Sequence, residues 1–294
     1  MTAGLREMPC LFCGVTDERL RFRDEPFRVV QCRRCGLTYV NPRLPSEQLH
    51  QLYQEEYWAS ARAKEFGYSG YLAEGPLYRR TYRRRMPVIR RYKPRPGALL
   101  DVGCAAGFFL AVAAEEGWRT TGVELSAPMV EYATRELRLP DVRRGDLLSV
   151  ELPARSFDVV TLWDVLEHLE DPPAHLAAAR KLLAPDGVLV IETQNVASPF
   201  ARLMGRKWQH YKHIEHLYHF DPRTLARLLA EAGFEILENT PRLGGKYVSM
   251  DFLVERVGRL HTWLPTLASP LRLLGSRALY VNLRDEMVVV ARAR

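Results

Sequence analysis

No stretch of this sequence approaches the roughly 18–20 uninterrupted apolar residues that a membrane-spanning helix requires, so no such span is expected. The first residues, Met1-Thr-Ala-Gly-Leu-Arg-Glu-Met-Pro-Cys10, lack the apolar core of a secretory leader, which makes a cytoplasmic location the expectation. Cysteine is scarce: five in 294 residues cannot form a disulfide scaffold for a chain this long. Acidic residues are outnumbered, 35 Asp+Glu against 42 Lys+Arg, and the resulting +7 favours acidic partners without naming one. What remains is ordinary for a globular protein. With 47% hydrophobic and 26% charged residues, the composition excludes disorder, collagen and a coiled coil. The length suits one large domain with an appendage, or two modest domains.

Four of the five cysteines are paired as Cys10-x-x-Cys13 and Cys32-x-x-Cys35, with 18 residues between the knuckles. Each knuckle aims two sulfurs at one point, and Gly14 and Gly36 relieve the tight backbone directly behind them. The spacing predicts a tetrathiolate zinc ribbon over residues 1–43, closed to other ligands and therefore structural. The competing reading is a pair of unrelated thiol knuckles or a redox motif. Leu20–Asp24 and Phe27–Cys32 alternate polar and apolar residues, as the strands of a ribbon do.

Residues 44–95 read as a helical, basic linker. Leu49, Leu52, Tyr53 and Tyr57 share one helical face. From Arg79 to Arg95 there are nine basic residues (Arg79, Arg80, Arg83, Arg84, Arg85, Arg90, Arg91, Lys93, Arg95) and no acidic one. Two readings stand: a platform for phosphates of nucleic acid, nucleotide-sugar or lipid, or the solvated face of a helix.

Beyond Pro96 strands and helices alternate, the pattern of a three-layer α/β domain. Ala98–Val102 is a short apolar strand that runs through Gly103-Cys-Ala-Ala-Gly107 into a helix at Phe108. Further strands are expected at 120–124, 142–146, 157–162, 188–193, from 234 and at 286–291. Ser126 with Pro128 is placed to start a helix, and Asp221–Gly233 reads as another capped helix.

Asp101-Val-Gly-Cys-Ala-Ala-Gly107, Val123-Glu124-Leu-Ser, Gly145-Asp146-Leu, Phe157-Asp-Val-Val, Asp164-Val-Leu-Glu-His168 and Leu183-Ala-Pro-Asp-Gly187, in that order, resemble the motifs of class I S-adenosylmethionine-dependent methyltransferases. The resemblance runs from Gly97 to Phe234 and resumes near Arg284, and implies a Rossmann-like fold with a seven-stranded, mostly parallel sheet. It implies that Asp101, Gly103, Cys104, Ala105, Gly107, Glu124, Leu125, Asp146, Leu147 and Trp163 surround the cofactor, Glu124 on the ribose hydroxyls and Asp146 on the adenine amino group. Ala105 departs from the family, which usually carries a glycine there. A dinucleotide-binding fold would need Gly-x-Gly-x-x-Gly, but this loop has Ala105 and then Phe108 in its glycine positions.

Acceptor chemistry points to two places. His168 follows the fourth strand, and a lid at 196–220 carries His210, His213, His216 and His219 at three-residue steps. On an α-helix that spacing rotates around the axis, which argues against a metal site. Glu215-His216-Leu-Tyr218 looks like the Glu-His element of sugar C-methyltransferases, relatives that also carry an N-terminal zinc module. The resemblance implies His216 as base or proton relay, with Glu215, His168 and Tyr218 beside it. The competing reading is a lid that only binds the acceptor.

An insert at 243–283 mixes apolar residues such as Phe252 and Trp263 with Arg256, Arg259 and Arg272. It suits peripheral membrane contact, dimer packing or core burial, and oligomeric state is left open. The expected activity is methyl transfer to oxygen or carbon of a small-molecule acceptor, a sugar, glycan or glycolipid precursor. The alternative is an RNA methyltransferase using the ribbon and the basic linker. Against it, the segment after the fourth strand lacks an Asp/Asn-Pro-Pro-aromatic turn for a flipped base. A third reading is a non-catalytic binding protein, opposed by the presence of Glu124 and Asp146.

Overall fold

The computed structural model describes residues 4–51, 71–250 and 278–294. Leu52, Tyr53, Tyr57 and most of the insert, 251–277, therefore lie outside the described residues. The N-terminal part contributes β1 (Glu18–Asp24), β2 (Phe27–Cys32), β3 (Thr38–Val40) and α1 (Ser46–Gln51). After α2 (Gly75–Tyr92) come β4 (Ala98–Val102), α3 (Phe108–Glu115), β5 (Arg119–Glu124), α4 (Ala127–Arg135), β6 (Val142–Arg144) and β7 (Phe157–Trp163). They are followed by α5 (Pro172–Leu182), β8 (Leu183–Gln194), α6 (Pro199–Met204), β9 (Tyr218–His219), α7 (Pro222–Glu231) and β10 (Phe234–Thr240). Then β11 (Lys246–Ser249), β12 (Ala278–Val281) and β13 (Glu286–Ala293) complete the chain.

Seven strands form one sheet in the order β10-β13-β8-β7-β4-β5-β6, and β13 alone runs antiparallel to its neighbours. This is the mostly parallel Rossmann-like sheet that the motif order implied. The chain lays down β4, β5 and β6 in one direction and then returns to place β7 on the other side of β4. Such a reversal opens a crevice at the carboxyl ends of the strands, where ligands of open α/β sheets bind.

Successive strand residues face opposite ways, so the sheet has two apolar layers. Leu99, Val159, Val188 and Val288 pack with Met86, Val88 and Ile89 of α2 and with Phe109 and Leu110 of α3. On the other side, Leu100, Val160, Leu189 and Val289 meet Leu176 of α5 and Leu225 and Leu228 of α7. The same cluster contains Phe27, Val29, Val30, Leu37, Tyr39 and Val40 from the N-terminal strands. A ribbon of about 40 residues cannot bury its own apolar face. Here it uses the face of the large sheet's helical layer.

The ribbon sheet also takes a strand from far away. Its order is β1-β2-β3-β9, with Thr38 opposite His219 and Tyr39 opposite Tyr218. Buried Arg43 fastens the junction: Nε donates to the Val40 carbonyl (3.0 Å), a terminal nitrogen donates to the Leu217 carbonyl (2.9 Å), and the guanidinium lies 4.2 Å from the Tyr218 ring centre.

Several expectations change in detail. The third strand ends at Arg144 because Gly145 turns out of it at φ +150°. Ser126 stands at the cap of α4, but its buried hydroxyl makes no capping bond; Glu124 accepts its N–H instead. The histidine segment 208–217 is not helical, so helical rotation does not separate its rings. His216 lies 6.1 Å from His210 and 6.3 Å from His219 between ring centres.

The basic run is not a free platform. Eight of its nine cations have partners within the chain: Arg79 and Arg83 on Glu115, Arg85 on Glu192, Arg90 on Glu116, Arg91 on Glu238, Lys93 on Asp186, and Arg80 and Arg84 on the rings of Tyr247 and Tyr280. The last two contacts clamp β11 and β12, the foot of the insert, onto α2. Among the described residues, no helix is long and apolar enough to cross a membrane.

Candidate active site

The loop 103–107 leaves β4 at the switch point. Gly103 and Gly107 hold φ of +69° and +78°, conformations that glycine adopts without strain. Packing demands glycine as well: a Cβ at Gly103 would lie 2.6 Å from Val165, and one at Gly107 would strike Leu139. Ala105, the family departure, sits at φ +46°, where an L residue costs about 1–2 kcal/mol. Its N–H donates to Glu124 Oε2 (2.9 Å), while Ser126 N–H donates to Oε1 (2.8 Å). Glu124 therefore ties the loop to the start of α4.

Burial pushes the Glu124 carboxyl up, and the two N–H donors oppose that shift. Each oxygen keeps acceptor capacity for one further donor. The Ser126 hydroxyl, two residues on, is buried without a partner among the described residues. A diol such as ribose fits this donor and acceptor set. Asp101, 2% exposed, accepts from the Thr161 hydroxyl (2.6 Å), and burial pushes its carboxyl up to about 8. Leu147 is buried and Leu125 half-buried beside the crevice, and burial pushes the Cys104 thiol up. Trp163 is buried in the α3 layer, its ring centre 5.1 Å from that of Phe109.

Asp146 carries a partner that sequence reading missed. His175 of α5 places Nε2 2.9 Å from Asp146 Oδ2 and Nδ1 2.8 Å from the Asp171 carbonyl oxygen.

The turn after β7 and the histidine-bearing segment 208–219 meet. The His168 and His216 rings stand edge to face, 4.6 Å apart between centres. Burial pushes His168 down to about 3 and His216 well below the usual histidine range, so both rings are neutral at neutral pH. His216 Nδ1 is buried without a partner among the described residues. Glu215 is buried, with Lys212 3.8 Å away. Tyr218 is turned to the ribbon seam, donating to the Glu170 carbonyl (3.3 Å) beneath Arg43.

Around them lies a polar shell, buried except at Lys246 and Asp164, that the motifs did not announce. Arg85 pairs with Glu192, and Lys246 stands 3.2 Å from Glu286 and 3.9 Å from Asp164. His210 is within 3.5 Å of Asp285 and 3.4 Å of Glu286, while Trp208 Nε1 donates to Asp285 (2.8 Å). Burial, reinforced by Asp164, pushes Glu167 up to about 8; the Thr193 hydroxyl donates to it (2.9 Å). A glutamate inside the apolar strand 188–193 was the available signal, since a buried charge must be paired.

Among the described residues, two groups bring metal-ligand atoms within 4.8 Å of one another: the four cysteines, and Glu167 with His168 and His216. The histidine series itself is not one of them. In the cysteine group, Sγ of Cys10 lies 3.4 Å from Cys35 and Sγ of Cys32 lies 3.9 Å from Cys13. A tetrahedron with 2.3 Å metal–sulfur bonds has edges of about 3.8 Å. Burial pushes the Cys10 and Cys35 thiols up, while the backbone N–H groups of Cys35 and Arg34 bring Cys32 down against its own burial. The four thiols fit zinc.

Residues 77–239 match the family model described as a methyltransferase domain. The chain is 31% identical over 171 residues to a ubiquinone biosynthesis O-methyltransferase of Xanthomonas axonopodis pv. citri, covering 51% of this chain and 67% of that protein. It is 43% identical over 114 residues to nocamycin O-methyltransferase of Saccharothrix syringae, covering 34% and 41%. The chain spans between 40% and 67% of the length of the curated relatives it matches. In fold it resembles a solved S-adenosylmethionine-dependent methyltransferase from Thermotoga maritima, with TM-score 0.51 and 19% identity, covering 77% of this chain and 96% of that one.

Proposed function

This chain belongs to the methyltransferase-domain family, and from that premise we propose that it transfers the methyl group of S-adenosylmethionine to an oxygen of a polar, hydroxyl-rich small molecule, a sugar or glycan precursor. The observation that carries the donor half is Glu124, a buried carboxylate held by the Ala105 and Ser126 N–H groups with acceptor capacity to spare. The acceptor half rests on the polar shell of Glu167, Lys246, His210, Asp285 and Glu286, which suits hydroxyl groups better than an apolar ring. Oxygen is favoured over carbon by the named activity of the curated relatives.

When bound, the donor supplies an already activated sulfonium methyl. Glu124 would hold its ribose hydroxyls, the 103–107 loop its amino-acid end, and Asp146 with Leu147 its adenine. The chain's remaining task is alignment and proton removal. Neutral His216 accepts the acceptor's hydroxyl proton at Nδ1, the buried nitrogen without a partner. His168 orients it edge to face. Zinc held by Cys10, Cys13, Cys32 and Cys35 would be structural, closing the ribbon that pairs with β9. With eight of its nine cations paired or stacked inside the chain, the basic run gives no reason to favour RNA.

The test is incubation with methyl-labelled S-adenosylmethionine and a panel of nucleotide-sugars, free glycans, catechols and RNA. Label in a sugar hydroxyl supports the reading. Label confined to RNA or to a catechol, or none in any acceptor, ends it.

A further inference from the structure

His175 lies in the first turn of α5, 6% exposed, with both ring nitrogens engaged. Nδ1 faces the Asp171 backbone carbonyl at 2.8 Å, and Nε2 faces Asp146 Oδ2 at 2.9 Å. A carbonyl oxygen only accepts, so Nδ1 donates; a carboxylate only accepts, so Nε2 donates as well. A ring donating from both nitrogens is an imidazolium. The alternative assignment, a neutral ring beside a protonated Asp146, is disfavoured because the other carboxylate oxygen accepts the Leu148 N–H at 2.8 Å.

A cation in the first turn of a helix opposes the helix dipole. It is retained here because Asp146 faces it from the loop after β6 and Asp171 from the cap of its own helix, whose carboxylate accepts the Ala174 N–H. Among the described residues, Asp146 and Asp171 are the charged groups that act on the ring. Against the cost of burial, they raise the His175 pKa above its ordinary value.

We propose that His175 is a positioning residue for the cofactor's base: as an imidazolium it locks the Asp146 carboxylate in the orientation that receives the adenine amino group. This rests on the methyl-donor reading of the site. Deprotonation turns one nitrogen into a lone pair facing an acceptor and releases Asp146. The sign follows. Affinity for the adenosyl ligand is highest while His175 is protonated and falls as pH rises through the raised value the ring has in the folded protein.

The experiment measures S-adenosylhomocysteine binding by titration calorimetry between pH 5.5 and 9 for the wild type, His175→Gln and His175→Phe. Nitrogen-15 spectra of the histidine rings in the wild type report which nitrogens carry protons. The expected result is a wild-type Kd that weakens about tenfold across the His175 transition, the scale of one charge-assisted hydrogen bond. His175→Gln should bind about tenfold more weakly than the wild type at pH 6, with a flat profile, since glutamine donates to Asp146 without titrating. A wild-type profile shared by the glutamine variant overturns the proposal, as does a singly protonated His175 ring at pH 6. If the phenylalanine variant does not fold, the glutamine variant and the spectra still decide. A wild type that binds no S-adenosylhomocysteine at any pH ends the methyl-donor reading itself, and this proposal with it.

Discussion

Tyr39, in the third strand of the cysteine-bearing sheet, lies in register opposite Tyr218, two residues along the chain from His216. The Val40 N–H also donates to the Leu217 carbonyl (3.0 Å), and the Leu217 N–H to the Glu167 carbonyl (2.9 Å). A continuous line of backbone bonds thus runs from the ribbon, through the residue after His216, to the turn after β7.

If the cysteine quartet holds zinc as proposed, removing it by chelation or Cys32→Ser is expected to act at a distance. The loss should exceed about 3 kcal/mol, on the order of 10 °C in Tm. Hydrogen exchange should rise at Tyr218 and His219 while Leu99 and Leu100 stay protected. Unchanged protection at the two lid residues, with metal loss confirmed by elemental analysis, would refute the coupling.

Glu124→Gln keeps the volume but turns an NH2 group toward one of the two N–H donors. Binding of S-adenosylhomocysteine should weaken about 30- to 100-fold, the equivalent of about 2–3 kcal/mol. Calorimetry on the folded variant checks it; wild-type affinity would remove Glu124 from the cofactor site.

His216→Asn should lower kcat about 100- to 1,000-fold with KM within about threefold, the signature of lost proton transfer rather than lost binding. Because burial holds the ring neutral far below its usual range, the wild-type rate should show no histidine-like fall near pH 6.5 from this group. Full turnover by the variant would leave His216 as a substrate contact only.

Asp101 supplies a pH test independent of turnover. Its folded-state carboxyl, pushed up to about 8 by burial, holds a proton that the unfolded chain releases near pH 4. The folded state therefore loses stability as pH rises between those values. Asp101→Asn, neutral throughout, should gain Tm relative to the wild type progressively from pH 5 to 8 in ligand-free melts. A constant difference would show that the carboxyl is ionised when folded.

Local sequence carried a large part of this architecture. The strands at 98–102 and 157–163 are runs of apolar residues short enough for one sheet. The Gly103–Gly107 hinge needs glycine for φ and for close packing, and the ordered motifs placed Glu124 and Asp146 at strand ends. The two cysteine knuckles are local geometry as well: i and i+3 spacing converges two sulfurs whatever surrounds them.

The rest depended on contacts between residues far apart in the chain, which no window of sequence contains. His175 looked like one more helical residue until α5 laid it against Asp146, 29 positions away. The basic run read as an open surface, yet its acidic partners lie on α3, β8 and β10. The histidine series was judged by helical rotation because spacing alone does not say that the segment is irregular. Sequence by itself determined the sheet, the hinge and the thiol quartet, since short-range backbone geometry suffices for each. Only tertiary packing decided which charges are neutralised, which rings meet and how the ribbon holds the lid, because burial and pairing are properties of the assembled fold.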